Sequence, residues 1–149
     1  MPRKLPTSRT SRLVKPMGNL LDAKRVFKKL RKKAVLARNL MGSVEAAERT
    51  LIADPNPRKR SSAALNLVDL NSVQSIPALK KSLATDADDH VKLCAACGLQ
   101  QLAGIKALPA LKQALQTALE TRAEAKGSIF RNHLINRLRD IIDEIIRES

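Results

Sequence analysis

One segment of this chain is written twice, 32 residues apart. Asp54 falls on Asp86, Arg60 on Lys92, Ala63 and Ala64 on Ala95 and Ala96, and Leu67 on Leu99. The correspondence continues through Leu70 and Leu102, Pro77 and Pro109, Leu79 and Leu111, and Leu83 and Leu115. A fixed period of this length restricts the fold severely. Each unit is too small to bury its apolar face alone and must stack on the next, which predicts a solenoid.

Composition agrees with helices as the stacked element. The chain has 149 residues, one domain's worth, and 44% of them are apolar. There are only two Phe and no Tyr or Trp. A core of Leu, Ala, Ile and Val suits close helix packing and disfavours strand-rich folds, which draw on aromatic and β-branched residues. No apolar run is long enough to span a bilayer. With two cysteines, Cys94 and Cys97, and no apolar leader after Met1, the expected setting is a reducing intracellular one, by default the cytoplasm.

Charge is distributed unevenly. Residues 1–40 hold 13 of the 28 Lys and Arg and a single acid, Asp22, whereas residues 41–149 hold 15 basic residues against 13 acids. Such asymmetry points to a polyanionic partner, most often nucleic acid and sometimes an anionic membrane surface.

Residues 1–18 carry three Pro and one Gly among basic and hydroxyl residues, without an apolar period, and read as a flexible basic arm. From residue 19 the α-solenoid begins. Leu20, Ala23, Phe27, Leu30, Ala34, Ala37 and Met41 form one stripe of a basic first helix over 19–41. Gly42 and Ser43 predict a stop and a fresh N-cap, with a short helix over 44–53. Repeats then run over about 43–126. Helices are expected near 57–70, 76–84, 89–102 and 107–126, with Asn56 and Ser75 as caps and a break around Gly104. Residues 128–147 complete the array as a C-terminal capping helix with Phe130, Leu134, Leu138, Ile141 and Ile145 on one stripe, widened by Ile135, Ile142 and Ile146.

The motif Val91-Lys92-x-x-Ala95-Ala96-x-x-Leu99, preceded by an acidic turn and followed by Leu108-Pro109-Ala-Leu111, resembles the HEAT-like repeats of the phycobilin-lyase type. The first copy matches it through Lys59, Arg60, Ala63, Ala64, Leu67 and Ile76-Pro77-Ala-Leu79. The resemblance covers residues 54–115, is partial over 43–53 and is absent from the arm and the last helix. It implies a right-handed stack of antiparallel helix pairs that serves as a protein-binding scaffold, in some members as a chromophore-lyase subunit. No catalytic residue is implied, because none of these activities rests on the repeat motif.

The residues themselves offer little chemistry. Cys94-x-x-Cys97 has the spacing of a metal or redox pair, but only His90 and His133 could complete a zinc site. The repeat supplies a simpler reading: Cys97 takes the place of Leu65, read as a core position, and Cys94 that of Ser62. Asp86, Asp88 and Asp89, like Asp54, precede a helix and are read as capping acids. No catalytic constellation, phosphate-binding Gly loop or cofactor motif stands out.

The basic residues carry the functional expectation. Arg3, Lys4, Arg9, Arg12 and Lys15 on the arm, Lys24, Arg25, Lys28, Lys29, Arg31, Lys32 and Lys33 on the first helix, and Arg58, Lys59 and Arg60 in the repeat form the candidate nucleic-acid-binding set. Residues 28–33 are basic except Leu30, with no acid among them. An ordinary solvated face mixes signs, since unbalanced charge repels itself. Single-strand binders stack bases on aromatic side chains, which are nearly lacking here. Phosphate contact with duplex DNA or structured RNA remains, without sequence reading. The expectation is a non-enzymatic nucleic-acid-binding adaptor, an arrangement that suits a large ribonucleoprotein, with a protein partner on the repeat surface. The rivals are a pure protein scaffold whose arm docks on an acidic partner, a phycobilin-lyase-type accessory subunit, and an arm that serves as an organellar transit segment.

Overall fold

The computed structural model describes residues 20–124 and 128–149, so the arm over 1–18, with Arg3, Lys4, Arg9, Arg12 and Lys15, and the helix break at Gly127 lie outside the described residues. Six α-helices are described: α1 Leu20–Ala53, α2 Pro57–Asp69, α3 Ile76–Thr85, α4 Asp89–Ala103, α5 Leu108–Glu124 and α6 Ile129–Glu148. Short 3-10 segments, Val73–Ser75 and Gly104–Ala107, lead into α3 and α5. No strand occurs among the described residues. The chain divides into two units after Leu40.

The second unit is the helical solenoid. In one layer α2 packs on α4 and α4 on α6; in the other α3 packs on α5. The layers interlock because α3 also packs on α4, and α5 on α6. The core follows the repeat register. Ala63, Ala64 and Leu67 of α2 are buried, as are Ala95, Ala96 and Leu99 of α4, and so are Leu79 and Leu111. Val44, Ala47 and Leu51 of α1 join the same cluster, which extends the apolar phase seen in sequence over 43–53. Alanine at these places lets helix axes approach closely. We expect Ala96→Leu, at a fully buried site, to overpack the α4 interfaces and cost about 1–3 kcal/mol; a thermal melt checks it, and an unchanged Tm would remove this register.

Gly98 marks the tightest approach. A Cβ built there would stand 3.2 Å from Val68 Cγ2 and 3.3 Å from Leu79 Cδ1, so α4 presses against both α2 and α3 at this point. Gly104 ends α4 with φ at +53°, a conformation glycine adopts without steric cost. Asn71 does the same after α2, with φ at +49°.

The turns repeat down to their hydrogen bonds. Asp54 Oδ1 accepts from the Asn56 amide at 2.8 Å, and Asn56 Oδ1 from the Arg58 amide at 3.0 Å. One period later Asp86 Oδ1 accepts from the Asp88 amide at 2.9 Å, and Asp88 Oδ1 from the amides of His90 and Val91 at 2.9 and 3.1 Å. Asp54 and Asp86 therefore make the turns, and Asn56 and Asp88 make the caps. The caps expected at Asn56 and Asp88 are present, whereas Asp54 and Asp86, also read as capping acids, shape the turns instead.

Four further expectations are corrected. Helix α1 runs through Gly42 and Ser43 without a stop; one glycine in a helix costs about 1 kcal/mol and does not by itself end it. Ser75 is no cap. Its hydroxyl is buried, pairs with Ser72 Oγ at 2.8 Å and donates to Glu48 Oε1 at 2.5 Å, tying α1 to the connection between α2 and α3. Leu65 is 48% exposed, so its place in the repeat is not a core position, and it is Cys94 rather than Cys97 that is buried. In α6, Leu134, Ile135, Leu138, Ile141, Ile142 and Ile145 are buried as their stripe requires, whereas Phe130 and Ile146 face water. Ser128 caps α6 by accepting from the Arg131 amide.

Candidate functional site

In the first unit, the described residues 22–36 of α1 are all exposed. Lys24, Arg25, Lys28, Lys29, Arg31, Lys32 and Lys33 thus stand in water together, and among the described residues no carboxylate forms an ion pair with any of them. A helix supports this density of cations because Lys and Arg have good helix propensity and extend away from the axis. The stripe expected to seat this helix is exposed as well: Phe27 by 65% and Leu30 by 55%, with Val26 beside them. Val35 and Leu36 lie off the stripe, bordered by Lys28, Arg31 and Lys32.

The basic cluster in the repeat divides by role. Arg58 and Lys59 are exposed. Arg60 is not free for a ligand. Its Nε and Nη2 donate to the two oxygens of Asp86 at 2.8 and 2.9 Å, and its Nη1 to the carbonyls of Asp54 at 2.9 Å and Pro55 at 3.2 Å. The hydrogen bond to Asp86 holds the guanidinium pKa above its ordinary value, against the effect of burial. Arg60 is therefore a clamp between consecutive repeat turns, and not the phosphate ligand that its basic neighbours suggested.

Two of the grooves in the second unit carry exposed basic residues. The larger, about 820 Å³, opens between the last turns of α1 and α2, over Ala46, Ala47 and Ala63, with Arg58 and Lys59 toward one end and Asp69 toward the other. The position one period later is the seat in which α4 receives α2. There Val91, Cys94 and Gly98 are buried where the first copy has exposed Lys59, Ser62 and Asn66. Polar substitution at these three places makes this groove the water-facing end of the array.

The smaller groove, about 400 Å³, lies between α3 and α5 with Lys80, Lys81 and Lys92 around a floor that includes Leu83, Ala110 and Ala114. No acid lines it. These lysines were not singled out by sequence. They come from two helices, α3 and α4, and the only linear signal is the pair Lys80-Lys81 itself.

The cysteines have the environment of packing residues. Burial raises the Cys94 thiol pKa, and Cys97 and Asp88 add to the shift. Cys94 Sγ lies 3.8 Å from His90 Nε2. No group of three or more His, Cys, Asp or Glu is placed to hold a metal among the described residues. A raised pKa leaves less thiolate at any pH below it, and the thiolate is the reactive form. Near pH 8, a thiol reagent should modify half-buried Cys97 promptly and Cys94 only upon unfolding; equal rates in the native protein would contradict this environment.

No helix among the described residues is long and apolar enough to cross a membrane. A family model described as HEAT repeats matches residues 44–129, more than half of the chain. No curated protein and no solved structure gives a significant match.

Proposed function

The chain belongs to the HEAT-repeat family, and from that premise we propose a non-enzymatic adaptor that joins a nucleic acid to a protein. Stacked helix pairs present extended faces for protein contact. Here the groove between α3 and α5 is the face best suited to it, because Lys80, Lys81 and Lys92 over an apolar floor favour an acidic segment. Phosphates of duplex DNA or structured RNA are assigned to the cationic helix.

The observation that carries the nucleic-acid reading is the exposure of seven cations on α1 without a paired carboxylate among the described residues. Keeping them unpaired costs self-repulsion, which an anionic partner relieves. Lys and Arg on a helix contact phosphates without reading bases, so the reading is sequence-independent. Arg58 and Lys59 extend the basic set in the second unit. The arm residues Arg3, Lys4, Arg9, Arg12 and Lys15 add five cations to it. The test is duplex binding by the full chain as a function of salt, set beside the variant Lys28→Gln, Lys29→Gln, Lys32→Gln. Binding that ignores salt or the substitutions would leave a scaffold for proteins alone.

A further inference from the structure

Contact with phosphates uses the cations of α1 and gives its apolar stripe no task. Ala23, Phe27, Leu30 and Ala34 are all exposed. The stripe is also more regular than burial on a globular core requires. Leu20, Ala23, Phe27, Leu30, Ala34, Ala37 and Met41 are spaced three, four, three, four, three and four residues apart. That is a strict 3.5-residue period, with Leu20, Phe27, Ala34 and Met41 at a and Ala23, Leu30 and Ala37 at d. Val26 and Leu40 widen this stripe on one side, and Val35 and Leu36 lie outside it, so the helix carries an a/d seam within a broader apolar face. In this register Lys24, Arg31 and Arg38 occupy e, and Val26, Lys33 and Leu40 occupy g. No acid stands at either.

We propose that the seam over residues 20–41 docks a partner helix with its own apolar heptads and with glutamate or aspartate at the flanking e and g positions. Charge decides against a second copy of this chain. In a parallel pair Lys33 would face Arg38 of the other copy, and in an antiparallel pair the e-position cations would face one another. Like charges at these positions reject a partner, and opposite charges select one. The sizes along the seam add a second condition. Ala23 and Ala34 leave room for large apolar residues on the partner, and Phe27 calls for a small one. Arg25, Lys28, Lys29 and Lys32 occupy b, c and f, away from the seam, so the two ligands need not compete. This inference goes beyond the nucleic-acid reading and does not depend on it.

The test uses the full chain and a labelled synthetic helix of about four heptads, with Leu at a and d and Glu at every e and g, followed by fluorescence anisotropy. A peptide with Lys at e and g, and a scrambled peptide of the Glu composition, are the controls. The Glu helix should bind, the Lys helix should not, and the scrambled peptide should bind at least about tenfold more weakly. The variant Lys24→Glu, Arg31→Glu, Lys33→Glu should reverse the preference and take the Lys helix. Leu30→Asn, at an exposed site that leaves the repeats intact, should weaken the Glu helix by about tenfold or more. Lys28→Gln, Lys29→Gln, Lys32→Gln should weaken duplex binding but change peptide affinity only about twofold, which separates failure of this inference from failure of the nucleic-acid reading. Equal binding of the scrambled peptide, an unreversed preference, or self-association through the stripe would overturn the inference. Binding to phosphatidylserine vesicles by a chain that refuses the Glu helix would overturn it too, and would assign the stripe to lipid.

Discussion

Duplex nucleic acid held by this protein at about 50 mM salt should lose about a thousandfold or more in affinity by about 200 mM, as follows from roughly six to ten neutralised phosphates. Each neutralised phosphate releases condensed counterions, and added salt removes that gain. The cations are available: seven on α1, with Arg58 and Lys59 in the repeat and five on the arm. Replacing Lys28, Lys29 and Lys32 with Gln keeps helix propensity almost unchanged, so circular dichroism should match the parent. The salt slope should become shallower by about one unit for each phosphate that is no longer neutralised. Affinity should fall by a similar factor for every duplex sequence, since contacts to phosphate rather than to base edges carry no sequence information. Filter binding or anisotropy across a salt series reads both quantities. A variant that binds as the parent does would remove α1 from the nucleic-acid reading.

Asp86→Ala should destabilise the repeat unit by about 2–3 kcal/mol, somewhat below the cost of breaking a fully buried ion pair. The substitution removes more than one interaction. Asp86 holds Arg60 by both oxygens and also accepts the Asp88 amide, which organises the turn before α4. Arg60 would keep the carbonyls of Asp54 and Pro55 but lose its counter-ion, with its side chain only 14% exposed. Asp88→Ala gives the comparison. It deletes a cap, which is worth about 1 kcal/mol, and leaves the clamp in place. Denaturant unfolding should therefore rank Asp86→Ala as clearly the worse of the two. A loss under about 0.5 kcal/mol would class the pair with ordinary surface ion pairs.

Repetition made much of the fold readable. Helix boundaries near 57, 76, 89 and 108 follow from proline at first-turn positions and polar caps, which act within a few residues of themselves. The buried places at Ala63, Ala64, Leu67, Ala95, Ala96 and Leu99 follow from the same register, because equal neighbours one period apart impose equal burial. The basic character of residues 24–33 needed no structure, since charge is written in composition. Local signals also misled. Gly42 and Ser43 read as a stop, yet the helix continues through them.

What the sequence determined by itself is thus the set of interactions that are local or that recur with the period: helix ends, caps, the alanine seams and the family. Tertiary structure alone decided whatever depends on which neighbour is present. Arg60 looked like its basic companions until Asp86, 26 residues on, was found in its fork. Ser62 faces water and Cys94, its counterpart one period later, does not, because the two copies of the motif have different helices against them. Lys80, Lys81 and Lys92 become one groove only when α3, α4 and α5 are stacked. Phe27 and Leu30 kept a perfect apolar spacing, but spacing records that a face is apolar and not that anything covers it. Coverage is a property of the assembled neighbours, and burial is settled only there.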